Sequence, residues 1–389
     1  MSEELLTKLD TAYTKRVLKD IIQINSIVGH EGEIAEYLKN ELENLGINCE
    51  LHEVEPGRPN VYANIGSKQQ TRRVHFNGHT DTVPAVGWDS DPFKPVITDG
   101  RLYGLGSCDM KAGIACIMNM LRAFVESDYP LEGELSFSGV IDEEGYSKGA
   151  KALLQTDYAS VDAIVIAEPY PGNEKGPIPL GITGKILYDI YVHGKAAHGF
   201  SPHLGINAIE ELGKILTNLD KMEFQKHPRF GTGNYSTIKI EGGYETYAVV
   251  VPVFARAEVN RLLVPGETSR TAISDMEELI ESLNLNASVE VQTKPPTYQP
   301  FIISKEDPLI KVFDPIYHEI MGSPPKYGYI NGVEDANVFV GEGNIPCLLL
   351  GPPQEMAHQK NEYVELSWLP KLSKMYTKIA VNFLATSSQ

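Results

Sequence analysis

Two histidines and a set of carboxylates stand just beyond apolar runs in this chain. "VHFNGHTD" closes on His79 and Asp81. "YGLGSCDMKAG" carries Asp109, "FSGVIDEEG" closes on Asp142, Glu143 and Glu144, "AIVIAEP" closes on Glu168, and "CLLLGPPQEMAH" leads into His358. Imidazole and carboxylate donors together suit zinc, and also cobalt or manganese. Gathered in one place without a cation, such carboxylates would repel one another. Asp109, with two oxygens, could bridge two ions, and ions about 3.5–4 Å apart can polarise a carbonyl while activating water. Glu143 and Glu144 are adjacent and diverge from an extended backbone. One can bind metal while the other faces water as general base. Residues i and i+2 of a strand share a face. The Asp81 carboxylate is therefore expected to accept a hydrogen bond from the ring nitrogen that His79 turns away from metal, which fixes the tautomer.

These residues converge only if parallel strands present them at one edge, because open α/β sheets bind ligands beyond the carboxyl ends of their strands. The first third of the chain has that form. Ile34, Leu38, Leu42 and Leu45 recur at helical spacing over 31–45, with Gly46 as a stop. Strand-like runs come next in "NCELHEV", "NVYANIG" and "RRVHFNG". Ile114, Ile117, Met118, Leu121, Phe124 and Val125 give a helix over 111–125 with a strong apolar face. "ELSFSGVID" and "DAIVIAE" read as further strands, the second apolar enough to be buried on both faces. Strands alternating with helices imply an α/β class with a mixed, mostly parallel sheet flanked by helices.

Near Gly184 the rhythm changes. "KILYDIYVHG", a helix over 206–221, "YSTIKIEGG", "AVVVPVFARAEVNR", a helix over 268–283 and "ASVEVQTK" succeed one another in the order β-α-β-β-α-β, a ferredoxin-like pattern. After "KPPTYQP" the α/β style resumes with a helix around 308–321, the strand "IPCLLLG" and a terminal helix from about Trp368. The expected organisation is a catalytic domain of residues 1–183 and 296–389, interrupted by an inserted domain at 184–295.

The 389 residues carry a formal charge of −18, which argues against nucleic acid or an anionic membrane as partner. No apolar run reaches the ~18 residues of a membrane span. The start, "MSEELLTKLD", lacks the basic and apolar regions of a signal peptide, so the chain reads as cytoplasmic. Cys49, Cys108, Cys116 and Cys347 show no CxxC pairing, which suits reduced thiols. Gly104-x-Gly106 suggests a dinucleotide loop, but the third glycine of that fingerprint is missing.

"NGHTDTVP", "YGLGSCDMKAG", "DEEG", "AEP" and "HGKAAHGFSPHLGINAI" resemble, in order, the motifs of the di-zinc aminoacylase, acetylornithine deacetylase and succinyl-diaminopimelate desuccinylase metallopeptidase family. The resemblance runs from about residue 14 to the C-terminus. It implies two divalent metal ions, zinc first and cobalt or manganese as alternatives. His79 and Glu168 would hold one, Glu144 and His358 the other, and Asp109 both. Asp81 would orient His79, and Glu143 would take a proton from water and deliver it to the leaving amine. The peptide after Asp109 is expected to be cis. The inserted domain would act as lid and dimerise the chain, with His198 stabilising an oxyanion in the partner subunit's site. Arg261 would grip a substrate carboxylate, and Gly332 would belong to the substrate-binding loop.

Two departures stand out. Val249 occupies the place of a lid asparagine, and in "NGVEDAN" Glu334 and Asn337 replace the usual threonine and arginine. The expected activity is hydrolysis of the amide bond of small N-acyl amino acids. A di- or tripeptide exopeptidase is the alternative within the class. A non-catalytic metal-binding regulator is the alternative outside it, and would need the ligands but not Glu143.

Overall fold

A computed structural model of the chain describes residues 2–66, 72–354 and 356–386. The chain divides into two compact units, one of Met1–Leu180, Ile303–Gly328 and Glu334–Gln389, the other of Gly181–Ile302 and Tyr329–Val333. Among the described residues no helix is long and apolar enough to cross a membrane.

The larger unit is built on a six-stranded sheet. Its first strands are β1 (Cys49–Glu55), β2 (Arg58–Gly66), β3 (Arg73–His79), β4 (Glu134–Val140) and β5 (Ala163–Ile166). The sheet order is β1-β2-β4-β3-β5, closed at the far side by Cys347–Leu349. β1 and β2 run antiparallel to their neighbours. β4, β3, β5 and Cys347–Leu349 are mutually parallel, so their carboxyl ends lie along one edge. β5 is buried at every position, which is why Ala163, Ile164, Val165 and Ile166 show no polar alternation. His75 is a polar residue inside the central strand β3. Its ring nitrogens lie 2.7 Å from the hydroxyls of Ser136 and Ser138 on β4, and burial pushes its pKa down to about 3.

Helix α1 (Gly32–Asn44) buries Ile34, Ala35, Leu38 and Leu42, the spacing the sequence shows. Helix α2 (Ala112–Glu126) is buried around most of its circumference. It packs on β3 and against the helices Thr11–Gln23 and Trp368–Leu384. Gly78 allows that approach, since a Cβ there would stand 2.7 Å from Ile114 Cγ1.

The smaller unit contains β6 (Gly184–His193), α3 (Ala208–Leu216), β7 (Asn234–Gly242), β8 (Phe254–Leu263), α4 (Ser269–Ser282) and β9 (Ser288–Tyr298). The strands form an antiparallel sheet in the order β7-β8-β6-β9. Ile186, Tyr188, Ile190 and Val192 alternate along β6 into a core with Leu212, Ile215, Ala272 and Met276 from the two helices. Asn207 caps α3 by accepting from the N–H groups of Ile209 and Glu210, and Thr268 caps α4 in a capping box with Thr271. Two elements are shorter than expected. α3 ends at Leu216, before a separate turn at Leu219–Lys221, and β8 begins only at Phe254, after Pro252, which has no N–H to donate to a ladder.

Candidate metal centre

The parallel strands bring their terminal residues together. β3 ends at His79, β4 leads to Glu143 and Glu144, and β5 leads to Glu168. Asp109 comes from the turn before α2, after Gly106 in a left-handed conformation, and the Asp109–Met110 peptide is cis. His79 Nε2 lies 3.2 Å from Asp109 Oδ1 and 3.7 Å from Glu168 Oε1. His358 Nε2 lies 3.3 Å from Asp109 Oδ2 and 2.8 Å from Glu144 Oε1. The two oxygens of Asp109 thus face different histidines, and each histidine is joined by one glutamate.

The donor set fits cations. Donor atoms of His79, Asp109 and Glu144 all lie within 4.8 Å of one another, as do those of His79, Glu143 and Glu168. Glu168 Oε1 is buried without a hydrogen-bond partner among the described residues, an arrangement that is costly unless something positive meets it. Electrostatics agree. Burial, together with neighbouring carboxylates, pushes Glu143 and Glu168 well above the usual carboxylate range. Hydrogen bonds from His358 and His79 overcome the burial of Asp109 and hold it below that range. Hydrogen bonds to Asp109 and Glu144 raise His358 to about 10. The histidines stand in for positive charge that the site demands.

His79 and Asp81 interact differently from the sequence expectation. β3 stops at His79, so the shared strand face ends there. His79 Nδ1 lies 3.0 Å from the backbone carbonyl oxygen of Asp81, and the Asp81 carboxylate is 3.7 Å away. A carbonyl only accepts, so Nδ1 carries the proton and Nε2 is left as the ligand atom. The carboxylate instead accepts from the N–H groups of Glu143 (3.2 Å) and Glu144 (2.9 Å). Asp81 therefore fixes both the histidine ligand and the turn that carries the glutamates.

Other supports carry no signal in the sequence. Asp142, buried in a left-handed conformation, accepts from Arg58 Nη2 at 2.9 Å. Arg58 also grips the buried Glu31 through Nε (2.7 Å) and Nη2 (2.6 Å), and pairs with Glu55. Glu362 accepts from three N–H groups of the Asp109 turn. Asp142 and Glu31 lie far from Arg58 in sequence, and Glu362 far from Asp109, so no spacing rule points to them. Cys108 beside Asp109 is a free, buried thiol.

Three expected site residues belong to the smaller unit. His198 is exposed, and its Nδ1 accepts from the Phe200 N–H at 3.2 Å. Gly332 exchanges hydrogen bonds with the Thr183 hydroxyl at 3.0 Å. Arg261 is a correction. It is fully buried, and its Nη2 pairs with Glu267 and Asp275, each at 2.6 Å. Its Nη1 donates to the Tyr188 hydroxyl at 3.3 Å. With both Nη groups engaged and Nε buried, this guanidinium is not presented to solvent and acts as a structural brace. Glu334, in contrast, is a carboxylate of the larger unit. It is buried, accepts from the Tyr170 hydroxyl at 3.3 Å, and is raised to about 8 by burial. Asp109 and His79 are among the charges that act on it.

Residues 75–382 match peptidase family M20/M25/M40. The chain is 29% identical over 381 residues to a succinyl-diaminopimelate desuccinylase of Rickettsia akari, covering 94% of this chain and 99% of that one. In fold it is similar to a tripeptidase from Staphylococcus aureus, with TM-score 0.79, 22% identity and coverage of 97% and 100%. It is also similar to a dinuclear metal-binding peptidase of family M20 from Bacillus subtilis, with TM-score 0.70, 18% identity and coverage of 97% and 100%.

Proposed function

We propose, for a chain that belongs to peptidase family M20/M25/M40, a metal-dependent hydrolase that removes the acyl group from small N-acyl amino acids. One observation carries the reading. Two histidine–glutamate pairs share the two oxygens of Asp109, and Glu143 stands beside them without being needed to complete either pair. His79, Asp109 and Glu168 would hold one divalent cation, and Asp109, Glu144 and His358 the other, zinc by preference and cobalt or manganese as alternatives. Bound there, the cations supply Lewis acidity toward water and the amide carbonyl. Glu143 accepts a proton from the attacking water on a carboxylate oxygen. It returns that proton to the amine nitrogen as the C–N bond breaks. Asp81 holds the Glu143 N–H, so the base has a fixed approach. His198 is the proposed donor to the oxyanion in the partner subunit's site.

A specific residue favours the peptidase as a second reading. Glu334 stands where the resembling sequences carry threonine, and among the described residues no lysine or arginine pairs with it. A buried acid there, raised to about 8 by burial, is ionised by a neighbouring ammonium, so it favours a substrate amine and disfavours an anionic acyl group such as succinyl. The test is a panel of N-acetyl and N-succinyl amino acids against di- and tripeptides, on zinc- and cobalt-loaded enzyme. If the ammonium reading holds, Glu334→Thr shifts the ratio of kcat/KM for peptides over N-acyl substrates downward by at least ~10-fold. That is the low end of a hydrogen bond to a charged group. An unchanged ratio removes Glu334 from recognition.

The reading includes a cytoplasmic homodimer formed through the smaller unit. β7 lies at the edge of its sheet and exposes Ile238 and Ile240, near the exposed Tyr247 in sequence. Edge strands with exposed apolar residues pair readily. Ile240→Lys is expected to halve the solution mass measured by light scattering. A wild-type chain already monomeric at micromolar concentration would dispose of the dimer.

A further inference from the structure

The segment that supplies His358 continues, four residues on, into Glu362, a side chain only 1% exposed. Its carboxylate accepts from Gly106 N at 2.7 Å, Cys108 N at 2.8 Å and Asp109 N at 3.1 Å. Its backbone carbonyl accepts from Gly104 N at 3.1 Å. Four N–H groups of the turn that carries Asp109 therefore converge on one residue. Successive backbone N–H groups around an anion form a nest, and charged acceptors make stronger bonds than neutral ones. The buried ammonium of Lys111 lies in the same surroundings. It donates to the carbonyls of Ile21 (2.8 Å) and Ile24 (3.2 Å) and feels the Glu362 charge.

We propose that Glu362 is a positioning residue that holds Asp109 in its bridging orientation and thereby sets the occupancy of the cation site formed by Asp109, Glu144 and His358. The two sites depend on Glu362 unequally. His79 is the last residue of β3, and Glu168 follows the end of β5 by two residues. His358 is 53% exposed and sits in a left-handed loop, a short stretch of chain before Glu362. Glu362 thus anchors two of the three donors of the second site, Asp109 through its N–H and His358 through the chain. The proposal rests on the two-cation reading given above.

The test is a calorimetric titration of the metal-free full-length protein with Co²⁺, with cobalt absorption followed in parallel. The wild type is expected to take up two cations. Glu362→Gln keeps the size but turns an NH₂ group toward the N–H donors. It is expected to bind the first cation within about threefold of wild type and the second ~10–100-fold more weakly, the usual effect of removing a partner that orients a ligand. Glu362→Asp, one methylene shorter, shows the same split if Glu362→Gln does not fold. A purely structural role lowers the thermal midpoint without separating the two steps. Unchanged affinity for both cations, or equal loss at both, in a variant with wild-type circular dichroism overturns the proposal. Uptake of fewer than two cations by the wild type overturns the two-cation reading instead.

Discussion

Glu143→Gln is expected to lower turnover ~10²–10⁴-fold, the size of a positioned general base, while both cations stay bound. The geometry makes this a test between two neighbours. Donor atoms of His79, Glu143 and Glu168 lie within 4.8 Å of one another, so proximity alone would allow Glu143 to be a ligand. The second histidine decides otherwise. His358 Nε2 lies 2.8 Å from Glu144 Oε1. That leaves Glu143 without a histidine of its own, on a turn whose N–H groups are both fixed by Asp81. Glutamine keeps the volume and polarity of the side chain and removes its basicity. A base therefore disappears without a cavity, and the metal content of the purified protein stays at the wild-type value. Glu144→Gln gives the opposite pattern, with metal lost along with activity. Near-normal turnover in Glu143→Gln with metal retained would refute the mechanism, and loss of metal in that variant would exchange the roles of the two glutamates.

The strand-end residues are legible in the sequence for a physical reason. Parallel strands must all point their carboxyl ends to one edge. A polar residue just after an apolar run therefore has a predictable place, and His79, Glu143, Glu144 and Glu168 obey that rule. Asp109 and His358 lie in turns and loops, where a family motif rather than periodicity has to point to them. Roles that depend on which atom of a residue is used are not legible. The sequence leads one to expect that Asp81 holds His79 by its carboxylate. It does so by its carbonyl, because β3 ends two residues earlier and the chain turns.

Long-range pairing is hidden for a related reason. Nothing in "VNRLLVPGET" says that the Arg261 fork is already closed by Glu267, six residues on, and by Asp275, fourteen residues on, on the next helix. A guanidinium reads alike in sequence whether its partner is internal or a substrate. Glu31, Arg58 and Glu362 are invisible because their partners lie far along the chain: Arg58 meets Asp142, and Glu362 meets Asp109. The sequence reveals which residues must reach the crevice. Packing sets the contacts that hold those residues still.

Asp109→Ala should have the larger effect on metal binding, since one side chain serves both histidines. Removing it deletes the oxygen 3.2 Å from His79 Nε2 and the oxygen 3.3 Å from His358 Nε2 together. Each trio of donors becomes a pair, too few for a divalent ion of the kinds that suit nitrogen and carboxylate ligands. Loss of a Lewis acid worth several kcal/mol predicts activity down by at least ~10³-fold. Stability gives a second, independent readout. A ligand that binds only the folded state stabilises it by about 2.7 kcal/mol at a hundred times its dissociation constant, so wild-type protein should gain thermal stability when zinc is added. In Asp109→Ala most of that gain should vanish. The metal-free variant should be less stable than metal-free wild type at neutral pH, because hydrogen bonds from His358 and His79 hold Asp109 below the usual carboxylate range and the variant loses both. Differential scanning calorimetry with and without zinc separates the two effects. A zinc-induced shift of wild-type size in Asp109→Ala would mean that the stabilising cation lies elsewhere, and the bridging role of Asp109 would fall with it.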